Sequence, residues 1–143
     1  MTCFDTSYLA KCYLREPGAN EVRALAMAAP AIACCQIGEV ELTSVFHRHL
    51  REGKIGAGEF RIVVEQLLSD LADGLWTWLP LTPALLAESS QVFHTLKPSV
   101  FLRAADAIHL TCARRNSIRE VYSNDRHLLA ACEAFGLAGI NIL

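Results

Sequence analysis

Four carboxylates stand where an α/β chain could bring them together: Asp5, Glu41, Asp106 and Asp125. Asp106 interrupts Arg103 to Ala113, a stretch that reads as a helix apolar nearly all the way round, the pattern of a buried element. An ionised carboxylate in such surroundings is costly unless a positive or hydrogen-bonding group meets it. Asp5 closes the short β-type run Thr2–Phe4, and Asp125 follows the run Glu120–Ser123 almost at once. Glu41 lies in the first turns of a helix that follows another apolar run. Converging carboxylates repel, and each takes up a proton unless a cation is present. Oxygen-only ligation of this kind suits Mg²⁺ or Mn²⁺, whereas zinc prefers His and Cys.

The elements that must position these groups alternate between strand and helix. After Thr2–Phe4, the run Thr6–Leu14 has helical spacing and Glu16-Pro17-Gly18 stops it. Asn20 is placed to cap a helix through Ala29, and Ala31–Cys35 reads as a buried parallel strand. A helix from about Ile37 to Arg51 is closed by Gly53, and Glu59 to Asp73 is amphipathic. Leu75–Leu81 reads as a strand that Pro80 places at a sheet edge. Thr82 and Pro83 open a helix to about Leu96. The Asp106 helix, the Glu120 strand, a helix capped by Asn124-Asp125 and ending at Gly136, and a strand from Ala138 to Leu143 complete the chain. Five strands separated by helices predict a three-layer α/β/α sandwich around a mostly parallel five-stranded sheet. In such sheets the working site lies beyond the carboxyl ends of the strands, where strand order reverses. Asp5 and Asp125 belong on that rim.

The length of 143 residues predicts one domain over 1–143. A formal net charge of −2 exerts no general pull on nucleic acid or anionic membrane. A nucleic-acid partner must therefore be attracted by a local patch or a bound cation. The six cysteines include no C-x-x-C pair, and most lie in apolar segments, where a free thiol packs as a small hydrophobe. The N-terminus lacks the pattern of a secretory signal, and the longest apolar stretch, Ala24 to Cys35, is too short to span a bilayer. A cytoplasmic location without membrane contact is the expectation.

The blocks Cys3-Phe4-Asp5-Thr6-Ser7-Tyr8-Leu9, Val40-Glu41-Leu42, Ala105-Asp106-Ala107-Ile108-His109-Leu110 and Ser123-Asn124-Asp125-Arg126-His127-Leu128, in that order, resemble the PIN-domain family. Within it, they look most like the VapC-type ribonuclease toxins of toxin–antitoxin pairs. The likeness runs along essentially the whole chain. It implies a parallel-sheet sandwich, Mg²⁺ or Mn²⁺ held by Asp5, Glu41, Asp106 and Asp125, and hydrolysis of RNA phosphodiesters. It also implies a homodimer and an inhibitory antitoxin.

Around the four carboxylates, Thr6, Ser7, Ser123 and Asn124 are placed to hold them by hydroxyl or amide groups. A helical wheel through Leu42, Val45, Phe46 and Leu50 places Glu39 nearer the apolar face than Glu41, and the two, about 200° apart on an ideal helix, cannot enter one site together, so Glu39 is the reserve. The family pattern, counted back from Gly53, selects Glu41. His109, three residues after Asp106, reads either as a base or, more simply, as a histidine bonded within the fold. Arg48, Arg51 and Lys54 make a basic stretch that suits an RNA backbone or a solvated helix face equally. An aspartyl-phosphate phosphatase needs a second Asp two residues after Asp5, where Ser7 stands. A receiver-type signalling module needs an adjacent acidic pair at the first strand, which is missing. A catalytically silent PIN fold is disfavoured by the intact set of four carboxylates.

Overall fold

The computed structural model describes residues 1–143. The strands are β1 (Thr2–Phe4), β2 (Ile32–Cys35), β3 (Thr77–Leu79), β4 (Glu120–Tyr122) and β5 (Ala138–Ile140). The helices are α1 (Thr6–Tyr13), α2 (Ala19–Ala28), α3 (Ile37–Arg51), α4 (Ala57–Asp73), α5 (Pro83–Thr95), α6 (Ala104–Arg115) and α7 (Arg126–Ala131), the last continued by a 3₁₀ turn over Cys132–Phe135. The sheet order is β3-β2-β1-β4-β5 and every pairing is parallel. β3 is an edge strand, as Pro80 predicts.

The chain builds the sheet outward from β1 in one direction, then returns to add β4 on the other side of β1. That reversal opens a crevice beyond the carboxyl ends of β1 and β4. The register pairs Phe4 with Tyr122, so the residues just after each strand emerge side by side. Asp5 continues the pairing by donating its N–H to the Tyr122 carbonyl at 3.1 Å.

Alternation along the strands feeds two cores. Phe4, Ile32 and Cys34 pack with Tyr8, Leu9, Leu42 and Phe46 on one face. Cys3, Ala33, Cys35 and Val121 pack with Leu85, Leu110 and Phe135 on the other. All six cysteines are free thiols and five of them are buried. α6 is buried along most of its length, from Asp106 to Ala113 with Ile108 partly covered, which is why its sequence carries no polar stripe.

Several boundaries differ from the sequence reading. α2 is capped by Gly18 at φ 80°, not by Asn20, because Gly accepts the left-handed turn that Pro17 feeds. α4 begins at Ala57, two residues before Glu59, whose carboxylate folds back to accept the Gly56 N–H at 3.1 Å. β3 and β5 are shorter than their apolar runs, since pairing ends where the neighbouring strand ends. Thr82 caps α5 as its spacing predicts, accepting from the Leu85 N–H at 3.1 Å.

Leu110 is fully buried in the core under α6. Leu110→Ala should lower stability by about 3 kcal/mol through lost burial and a residual cavity. Urea unfolding monitored by far-UV circular dichroism should show an earlier midpoint with an unchanged slope.

Candidate active site

Asp5 occupies the first position past β1 and caps α1, in an extended conformation that aims its carboxylate back along the helix start. Its Oδ1 accepts from the Tyr8 N–H at 3.0 Å and from Ser7 Oγ at 2.6 Å. Its Oδ2 accepts from Ser123 Oγ at 2.6 Å. Burial pushes its pKa above the usual carboxylate range even against these three donors. The Ser123 hydroxyl also accepts the Asp125 N–H at 2.8 Å, and Ser7 Oγ accepts the Asn124 N–H at 3.2 Å. The loops after β1 and β4 are thus laced together through two serines.

Asp125 caps α7 with Oδ1, which accepts from the N–H groups of His127 (2.8 Å) and Leu128 (3.3 Å). Its Oδ2 accepts from the Arg103 guanidinium. Asp106 stands in the first turn of α6 and is only 6% exposed. Arg103, the residue before that helix, donates from Nε to Asp106 Oδ2 at 2.8 Å and from Nη2 to Oδ1 at 3.3 Å. Arg103 is therefore what meets Asp106, and the same guanidinium joins it to Asp125. Burial acts to raise the Asp125 pKa, but the Arg103 hydrogen bond and the two backbone donors hold it below its ordinary value.

Glu41 reaches the pocket from α3. Its Oε2 accepts from Thr6 Oγ1 at 2.5 Å and pairs with His109 Nε2 at 2.7 Å. Burial alone disfavours both charges. The pairing outweighs it, so the Glu41 pKa lies below its ordinary value and that of His109 above. His109 is 4% exposed, and its Nδ1 is buried without a partner. The ring is thus bonded within the fold.

A cavity of about 260 Å³ is lined by Asp5, Thr6, Glu41, Arg103, Asp106, His109 and Asp125, with Ala105 and Leu128. All four predicted carboxylates meet there. Thr6, Ser7 and Ser123 each donate a hydroxyl hydrogen bond to one of these carboxylates. Asn124 contributes only its backbone N–H, a correction to the expected amide contact, because its residue is exposed and borders the separate groove rather than the acidic cavity. Glu41 rather than Glu39 enters. Gly38, Leu42, Phe46 and His49 form the buried face of α3, and the two glutamates flank it on opposite sides.

The basic stretch lies elsewhere. Arg48 and Arg51 sit in the last turn of α3, roughly 10 to 15 Å along the helix from Glu41, and Lys54 follows just past the helix end. None of them lines the acidic cavity. Lys54 pairs with Glu52 at 2.7 Å and borders a separate groove with Lys11, Arg15 and His49 that extends to Asn124.

A family model for the PIN domain matches residues 2–134. The chain belongs to the PIN-domain family. Solved PIN-like structures agree in fold. The FitAcB structure from Neisseria gonorrhoeae superposes with a TM-score of 0.78 at 19% identity, over 99% of this chain and 97% of that one. VapC20 of Mycobacterium tuberculosis, described as a toxin that cleaves the sarcin-ricin loop, gives 0.72 at 16% identity over 92% and 95%. A toxin–antitoxin complex from Klebsiella pneumoniae gives 0.63 at 15% identity over 98% and 96%. No curated protein sequence matches the chain.

In this PIN domain the four acidic groups supply a donor set of hard oxygens, the chemistry that suits Mg²⁺ or Mn²⁺. No three of the site's acidic or histidine side chains already stand in a ligating array, with Asp106 and Asp125 both turned onto Arg103. Arg103 already marks the place where positive charge belongs. Arg103 is a site residue outside the expected set, and its spacing of three from Asp106 is the one sequence signal that points to it.

The Glu41–His109 pair gives a pH signature in metal-free protein. The raised folded pKa of His109 means its contribution is complete below the ordinary value of 6.5 and is lost as pH rises through the folded value. The lowered pKa of Glu41 means its contribution is complete above 4.5 and is lost as pH falls. The stability difference between wild type and His109→Gln, from urea unfolding in EDTA, should therefore peak between about pH 4.5 and 6.5. A difference that grows above pH 7 would contradict the pairing.

Proposed function

We propose that this PIN domain is a metal-dependent endoribonuclease, the toxin of a type II toxin–antitoxin pair. The observation that carries the reading is the meeting of Asp5, Glu41, Asp106 and Asp125, from four separate segments, in one cavity at the strand-order reversal. Asp5, Asp106 and Asp125 would hold Mg²⁺ or Mn²⁺, with Glu41 as a further ligand or as the group that orients the attacking water. When bound, the ion supplies Lewis acidity and neutralises charge on the scissile phosphate.

The rest falls to the chain's own groups. Thr6 and His109 both occupy Oε2 of Glu41, which leaves Oε1 to accept a proton from water. His109 keeps Glu41 ionised for that task. Ser7 and Ser123 fix both oxygens of Asp5, so its orientation does not depend on the substrate. The cavity is small, which suits a phosphodiester and its flanking oxygens rather than a whole nucleotide.

The toxin reading rests on the family and on the described neighbours, two of which are FitAcB and a toxin–antitoxin complex. It brings with it an antitoxin as inhibitor, a homodimer as the assembled form, and a cytoplasmic location. No helix is long and apolar enough to cross a membrane.

Purified protein should cleave RNA in Mg²⁺ or Mn²⁺, and EDTA should stop it. Asp5→Asn, Asp106→Asn and Asp125→Asn should each slow cleavage by about 10²-fold or more with unchanged circular dichroism. An Asp106→Asn protein that cleaves at the wild-type rate would falsify the assignment of the site.

A further inference from the structure

Arg103 has no place in the function just described, yet it is the most tightly engaged cation of the pocket. Nε and Nη2 are bonded to Asp106 and Asp125, while Nη1 takes no protein partner. The side chain is 50% exposed, whereas that of Asp106 is 9% exposed. The guanidinium therefore lines the cavity with its Nε/Nη2 edge toward the acids, while the side chain stays half open to solvent. It starts from the residue just before α6, outside the helix, so its side chain can swing without disturbing the buried turns behind it.

A guanidinium and a divalent cation compete for the same oxygens. Both cannot sit between Asp106 and Asp125, because a second positive charge there meets like charge at contact distance. An arginine set free at the mouth of a phosphodiester site has an obvious new partner. Its planar fork matches two phosphate oxygens as well as it matches a carboxylate.

We propose that Arg103 is an exchangeable cation: it joins Asp106 to Asp125 in the metal-free protein, yields those oxygens to the divalent ion, and then binds the scissile phosphate of the RNA. The inference rests on the nuclease reading for its substrate half, and on the two ion pairs alone for its metal half. It makes Arg103 a substrate-contacting residue in the loaded enzyme. It also makes metal affinity lower than the four carboxylates would otherwise give.

The test measures MnCl₂ binding to the full chain by calorimetry, with no RNA present, for wild type, Arg103→Ala, Arg103→Lys and Arg126→Ala. Arg126 neighbours Asp125 in sequence but makes no bond to the site, so it reports the general field. Arg103→Ala should bind Mn²⁺ roughly tenfold more tightly, Arg103→Lys should fall between, and Arg126→Ala should change affinity less than about twofold. Steady-state cleavage of a single-stranded RNA at saturating Mn²⁺ should then show KM raised about tenfold in Arg103→Ala and partly restored in Arg103→Lys. Half-exposed Arg103 supports no core packing, and a thermal melt of each variant checks that the fold is kept. Mn²⁺ affinity that is unchanged in Arg103→Ala, or that rises equally in Arg126→Ala, overturns the exchange. Tighter Mn²⁺ with an unchanged KM overturns the transfer to phosphate. A wild-type protein that binds Mn²⁺ but cleaves no RNA overturns the nuclease reading and the phosphate half together, and leaves the metal half standing on its own titration.

Discussion

Negative charge concentrated in a partly dry pocket is the constraint on which this structure depends. Asp5 and Asp106 are nearly inaccessible to water, and Glu41 and Asp125 are only partly wetted. Like charges so placed drive protonation or expulsion unless positive charge answers them. The fold answers three of the four directly. His109 meets Glu41, and one guanidinium meets both Asp106 and Asp125. Asp5 receives only neutral donors, two hydroxyls and a backbone N–H, and burial raises its pKa in spite of them. The acid without a cation of its own is the one at the centre of the sheet, where a metal would add most.

Topology makes the gathering possible. β1 and β4 are neighbours in space though far apart along the chain, and each ends in a short turn that caps the next helix with an aspartate. A cap is an ordinary local device, worth about 1 kcal/mol. Here two caps share a rim, and the serines beside them tie one loop to the other. The same bonds that start α1 and α7 therefore also aim the site. α6 and α3 bring Asp106 and Glu41 from flanking layers.

Much of this was legible in the residues. The alternation of apolar runs with helical spacing gave the layer order, and the turn positions of Asp5 and Asp125 gave the rim. The apolar neighbours of Asp106 announced a buried acid with a missing partner. The partner itself was harder to see. Its spacing of three from Asp106 is local, but its bond to Asp125 spans 22 residues, and no pattern along the chain reports such a distance. The His109–Glu41 pair spans 68 residues and is likewise invisible before folding. The choice between Glu39 and Glu41 failed on the helical wheel because that wheel used only apolar residues. Gly38 and His49 are buried too, and they turn the face so that the glutamates lie on its two flanks. What surrounds each flank is a tertiary fact.

The most direct test of the account is where a divalent ion settles. Crystals soaked in MnCl₂ and measured at the manganese absorption edge should show one anomalous peak in the acidic cavity, about 2.1 Å from oxygens of Asp106 and Asp125. A peak confined to the basic groove or the outer surface, with the acidic cavity still bridged by protein alone, would contradict it.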